Sequence, residues 1–267
     1  MPNYVRCRLV FDEGKAEEVA KQHIQMNDDG YVGFDFNTII PMPKSLHMEV
    51  GSRSHHALKY YLACKNPDCA FLGKSEDKLS KEEYQKLYDL MTPKGFTLEN
   101  NQLTEEEFHK IEKLYKDDLP ALYEQGKTMV ENKEKYGETN WHAWRVKNWG
   151  TKWNAVDTVT DGNVIEFSTA WNAPEPVIKK LGEMHKDLRI AMVYADEDIG
   201  NNTGFLLMEY GRVRYEGMFP DRSKWAMKFA TELWNLQDRY VFDRAKDNYV
   251  ERKNDKRAKS MPEPELA

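Results

Sequence analysis

Tyr4-Val5-Arg6-Cys7-Arg8-Leu9-Val10-Phe11 is the stretch on which the fold class turns. Val5, Cys7, Leu9 and Phe11 alternate with Arg6 and Arg8, the two-residue period of a strand with one buried face. Outward from it, Ala16, Val19, Ala20, His23 and Ile24 recur at helical spacing and predict a helix over residues 15–26. Asn27-Asp28-Asp29-Gly30 supplies turn chemistry, and Gly33 to Ile40 reads as a second strand. Pro41 and Pro43 close it, because proline cannot donate to a ladder. The opening is β-α-β.

Residues 54–150 change character and read as charged helices. Ser80 with Glu83, and Thr104 with Glu107, have the spacing of capping boxes, in which each side chain satisfies the other residue's orphan amide. Phe108, Ile111, Leu114 and Tyr115 form one apolar stripe, and a further helix after Pro120 carries Gly126 as a weak point. Strands return with residues 155–159 and 164–169 as a hairpin about Asp161-Gly162-Asn163. Pro174 opens a helix lined by Val177, Ile178, Leu181 and Met184, and strands follow at 188–194, 204–210 and 213–217. Trp225, Phe229, Leu233, Leu236 and Tyr240 step at helical spacing and predict one long final helix. The expected organisation is therefore 1–53 and 151–220 as two parts of one sheet domain. Residues 54–150 are a helical insertion, 221–253 a C-terminal helix and 254–267 a frayed tail. The fold class is α+β: a split β-α-β antiparallel sheet with helices on one face.

Composition narrows the function classes. The 267 residues carry a formal net charge of −6, which argues against holding nucleic acid by bulk charge alone. No apolar run reaches the length of a membrane span, and the first residues do not read as a secretory signal. Three cysteines without such a signal suggest a reducing cytoplasm and no disulfide framework.

Four strings occur in order: FDFNTIIPMPKSL (34–46), NWGTKWNA (148–155), FSTAWNAPEPVIKKL (167–181) and YADED (194–198), after an MPN start. Together they resemble the YubB-type ferredoxin-like domain family, also called Api-like proteins with a ferredoxin domain, over residues 1 to about 210. The resemblance implies a ferredoxin-like fold and an origin on plasmids, prophages or other mobile elements, and with it the cytoplasm of a bacterial host cell. It implies no activity. The name refers to the fold; three cysteines do not supply the four ligands of an iron–sulfur cluster, and no cofactor is expected. One departure is local: family members carry an acidic residue and then glycine soon after the strand's tyrosine, whereas Tyr194 is followed by Asp196-Glu197-Asp198 and only then Gly200.

The tryptophan-rich segment is the main candidate site. Trp141, Trp144, Trp149 and Trp153 lie close together, and Trp171 follows. Asn148, Trp149, Gly150, Thr151, Lys152, Trp153, Asn154 and Trp171 are the expected partner-binding residues: large aromatics beside polar groups and a permissive glycine suit recognition. The alternative is that the indoles seal the insertion and the polar residues form its turn. Cys64 and Cys69, with His55 and His56 upstream, have ligand types for zinc, but there is no second cysteine pair, and a Pro-Asp turn accounts for the string. Asp196, Glu197 and Asp198 offer hard oxygen ligands or a solvated loop.

No nucleophile elbow, P-loop, dinucleotide fingerprint or zincin motif is present, so the expectation is a non-catalytic interaction protein with a host- or element-encoded protein partner, such as a defence complex. The alternative is single-stranded nucleic-acid binding, with Arg6, Arg8 and the last helix as a local basic face. An enzymatic reading would rest on Lys152, His142 and the acids after Tyr194.

Overall fold

A computed structural model describes residues 3–28, 30–71, 77–92 and 103–252. The expected tail at 254–267 lies outside them. The chain divides into two compact units, one of Met1–Ile39 with Trp153–Ala267 and one of Ile40–Lys152. The insertion therefore begins at Ile40, immediately before the two prolines.

The first unit is built on one antiparallel six-stranded sheet. Its strands are β1 (Tyr4–Phe11), β4 (Val156–Asp161), β5 (Val164–Ala170), β6 (Ile190–Asp196), β7 (Gly204–Glu209) and β8 (Arg212–Met218). Their order is β4-β5-β1-β6-β7-β8. β1 thus lies between β5 and β6, which the helix α7 (Glu175–Met184) connects, and the expected split β-α-β is present.

Register decides what each face buries. Cys7 sits opposite Phe167 on one side and Tyr194 on the other; Leu9 sits opposite Ile165 and Met192. These side chains are buried, together with Leu206 and Met208. α1 (Lys15–His23) and α7 cover this face. α7 comes so close that a Cβ at Gly182 would stand 2.7 Å from the Met208 methyl. The opposite face carries Arg6 and its register partner Ala195. Ala195 packs with Ala230 and Leu233 of α8 (Lys224–Leu233). Helices therefore cover both faces, not one.

Three expected elements end early, each for a local reason. The first helix stops at His23, and Ile24–Met26 becomes β2, paired with β3 (Val32–Phe34) in a separate hairpin. The strand expected over 33–40 ends at Phe34, because the Asp35 side chain accepts from the Asn37 amide and caps a 3-10 turn over Phe36–Thr38. The long C-terminal helix expected over 221–253 ends at Leu233. Asn235 then takes a φ of 54°, and Tyr240–Asp243 and Asn248–Glu251 form the hairpin β9–β10. The apparent helical stripe of Leu236 and Tyr240 is a coincidence of spacing. Met184, expected on the inner face of α7, is 46% exposed.

The second unit is helical, as expected: α2 (Ser52–Lys65), α3 (Lys81–Met91), α4 (Glu105–Leu114), α5 (Leu119–Tyr136) and α6 (Trp141–Trp149). Both capping boxes form; the Ser80 and Thr104 hydroxyls accept from the Glu83 and Glu107 amides. One core cluster gathers Ala57, Leu103, Phe108, Ile111 and Leu122, and a second gathers Tyr61, Leu62, Leu87 and Val130. Gly126 is not a weakness but the contact at which α5 meets α2. A Cβ there would fall 2.3 Å from the Ala57 carbonyl oxygen and 2.6 Å from Tyr61 Cβ. Replacing Gly126 by Ala gains helix propensity yet forces the helices apart. We expect Gly126→Ala to lower stability by about 1–3 kcal/mol in urea unfolding; an unchanged or raised midpoint would refute the close crossing.

Candidate functional site

The FDFN and NWGTKWNA strings meet at a buried carboxylate. Asp35 is 2% exposed and accepts from Gln25 Nε2 at 2.8 Å, the Asn37 amide at 3.0 Å and Asn154 Nδ2 at 2.7 Å. Asn154 works in both directions: its Oδ1 also accepts from the Phe36 amide at 2.9 Å and the Ala155 amide at 3.0 Å. Phe34 and Phe36, which flank Asp35, pack on Phe167 of β5 with ring centroids 5.3 and 6.0 Å apart. An apolar clamp and a polar lock thus fix residues 34–37 to the start of β4.

The expected recognition segment is largely structural. Trp149 is fully buried; its indole N–H donates to the Ile40 carbonyl at 2.9 Å, and the Arg145 guanidinium lies 4.7 Å from its ring centre. Asn148 turns back onto the Trp144 carbonyl of its own helix. Gly150 ends α6 with a φ of 82°, the left-handed position that glycine fills without strain. Thr151 and Asn154 are buried. Trp149, Thr151 and Asn154 therefore cannot form a contact surface, because their polar groups and ring area are already committed to the fold. Lys152 and Trp153 are half-buried. Only Trp171 is well exposed, at 41%; its backbone, at a φ of 69°, is held by the Asn3 carbonyl and by Asn202 Nδ2. Asn148 to Lys152 belong to one unit, and Trp153, Asn154 and Trp171 to the other.

The remaining candidates separate in the same way. Asp196 accepts from Asn3 and the Asp198 amide, Glu197 from the Tyr4 amide, and Asp198 from Asn201, so the three carboxylates serve different local partners. Among the described residues, no group of three or more His, Cys, Asp or Glu gathers as a metal set. Burial pushes the Cys64 thiol up to about 11. His142 is pushed below its ordinary value, first by burial and then by the Lys152 charge.

Two groupings have little signature in sequence. One is an aromatic stack: Phe205 of β7 and Phe219 have ring centres 5.3 Å apart, Phe219 and Phe229 5.3 Å, and Phe229 and Trp225 6.2 Å. Trp225, at the far end of the stack, is 54% exposed. The other is a histidine pair. His23 is buried, its Nδ1 is 2.7 Å from Thr38 Oγ1, and its Nε2 is 3.3 Å from His185 Nε2. Burial is the largest cause holding His23 down at about 4; the His185 charge adds to it and Asp35 opposes it. A charged residue inside an apolar run, as in Phe34-Asp35-Phe36, was the available hint to the first lock. Nothing in the spacing of His23 and His185 announces the second.

Residues 148–236 match the family described as a ferredoxin-like domain in Api92-like protein. That span contains five of the six strands of the main sheet, all but β1. No curated protein matches. The crystal structure of a protein api92 from Yersinia pseudotuberculosis is similar over 82% of this chain and 99% of that one, with 11% sequence identity and a TM-score of 0.35. That score is too low to compare individual residues. No helix among the described residues is long and apolar enough to cross a membrane.

Two outcomes follow from the locks. Asp35→Ala strands buried donors without an acceptor and should cost about 3 kcal/mol or more in urea unfolding; a loss below about 0.5 kcal/mol would mean the carboxylate is not the organiser. In buffer containing a chelator, stability should fall as pH drops from 6.5 towards 4. In that window the unfolded chain protonates at the ordinary histidine value while folded His23 resists until about 4. Above 6.5 this contribution is constant, and His23→Gln should flatten the decline.

Proposed function

We propose that this chain acts by binding a protein partner, and that the exposed end of the aromatic stack is the contact. The single observation behind this reading is Trp225: an indole 54% exposed, stacked on Phe229 and through it on Phe219. A rigid aromatic anchor on a fixed helix suits the centre of a protein interface. The charges at its rim are already compensated. Lys228 pairs with Glu232 at 2.5 Å and Lys224 with Asp247 at 2.6 Å.

That compensation also weighs against the single-stranded nucleic-acid alternative, which needs unspent positive charge along the backbone path. Arg6 and Arg8 are committed too. Arg6 donates to the Leu233 carbonyl at 3.1 Å and lies 4.5 Å from the Trp234 ring centre, and Arg8 pairs with Glu166 at 2.5 Å. The YubB-type resemblance supports placing such a binder on a mobile element, with a host or element-encoded protein as its target.

Immobilised wild type and Trp225→Glu, matched by circular dichroism and melting temperature, test the contact in bacterial lysate. We expect proteins retained by wild type at physiological salt to be lost, or weakened at least about tenfold, with the variant. Identical retained sets would remove this surface from consideration. Retention of single-stranded DNA or RNA that falls with salt would favour the alternative.

A further inference from the structure

We infer that His23 and His185 form a two-histidine site for a borderline divalent cation of the Zn2+, Ni2+ or Cu2+ class. The argument begins with the proton on His23. Thr38 Oγ1 lies 2.6 Å from the Asp35 carbonyl oxygen, which has no hydrogen to give, so the threonine hydroxyl donates there. Its oxygen is then the acceptor in the 2.7 Å contact with His23, and Nδ1 carries the imidazole proton. His23 Nε2 is consequently a bare lone pair. It is aimed at His185 Nε2, 3.3 Å away.

The two rings meet end-on, with centroids 5.6 Å apart, so an ion would take the place of the proton between them. Nitrogen ligands stand about 2.0–2.1 Å from a tetrahedral ion, and the half-buried His185 ring turns aside from the line to reach that distance. The surroundings suit an ion. Metal-binding histidines donate their second ring N–H to an oxygen that fixes the tautomer, and the Thr38–Asp35 relay supplies this for His23. The backbone reinforces the relay, since the Asp35 amide donates to the His23 carbonyl at 2.7 Å. His185 is half-buried at the end of α7, so an ion has access from its side. Without metal, the His185 Nε2 proton fills the gap as an imidazole–imidazole hydrogen bond. On binding, that proton moves to Nδ1 of the same ring, and Nε2 takes the ion in its place. Two imidazoles select borderline ions over Mg2+ or Ca2+. Among the described residues no third side chain joins them, so water or an exchangeable ligand completes the shell and the site is reversible.

Full-length protein titrated with ZnCl2, NiCl2 or CuSO4 against a chromophoric chelator tests the assignment. We expect one equivalent bound, with His185→Gln lowering affinity at least about tenfold and His23→Gln doing the same. His109→Gln, which removes an exposed histidine beside Glu105 and Glu112, should leave that affinity unchanged. With Cu2+, electron paramagnetic resonance should show coupling to two imidazole nitrogens in wild type and to one in His185→Gln. His185 is half-exposed, so this variant serves if His23→Gln fails to fold. No binding by wild type, or equal binding by wild type and His185→Gln, would overturn the site and leave the pair as a hydrogen bond only.

Discussion

A carboxylate removed from water must find donors, and that requirement organises the first unit. Asp35 has three of them, from Gln25, Asn37 and Asn154. Each donor lies on a different segment, so satisfying one group fixes the β2–β3 hairpin, the 3-10 turn and the start of β4 together. The flanking phenylalanines add apolar burial against Phe167. Neither contribution suffices alone: the rings lack direction, and the hydrogen bonds lack net energy unless water is excluded. The same turn sets Thr38, and through it the tautomer of His23.

The sheet shows how one strand can serve two layers. Val5, Cys7 and Leu9 face α1 and α7, whereas Arg6, on the other face, satisfies the carbonyl end of α8 and stacks on Trp234. A cation at a helix C-terminus is favourable against the helix dipole. Trp234 in turn donates to the Ala195 carbonyl at 3.1 Å. An arginine that read as a solvent-facing or nucleic-acid-facing charge is an internal fastening.

Legibility followed the range of the interactions. Both capping boxes, the alternation of β1, and α7 starting beside Pro174 are local codes, and the structure repeats them. The α+β class and the split arrangement followed from strand count and helix placement. The ends of elements did not follow, because Asp35 and Asn235 impose turns that apolar periodicity ignores. The burial of Trp149 within the expected contact segment was not legible for a related reason. Trp149 and Trp225 are the same residue type, and only long-range packing makes one core and the other surface.

The central position of β1 has a consequence for biosynthesis. Its two neighbours are β5 and β6, whose first residues are Val164 and Ile190. At about 5–20 residues per second, a ribosome needs roughly ten seconds or more to deliver them. Throughout that interval the Val5–Phe11 stripe has no sheet to join. The helical insertion, by contrast, holds its closest pairing between α2 and α5 within residues 52–136 and is complete earlier. The order of synthesis therefore favours a nascent chain whose helices are set while its first strand still waits, exposed to chaperones, for its partners.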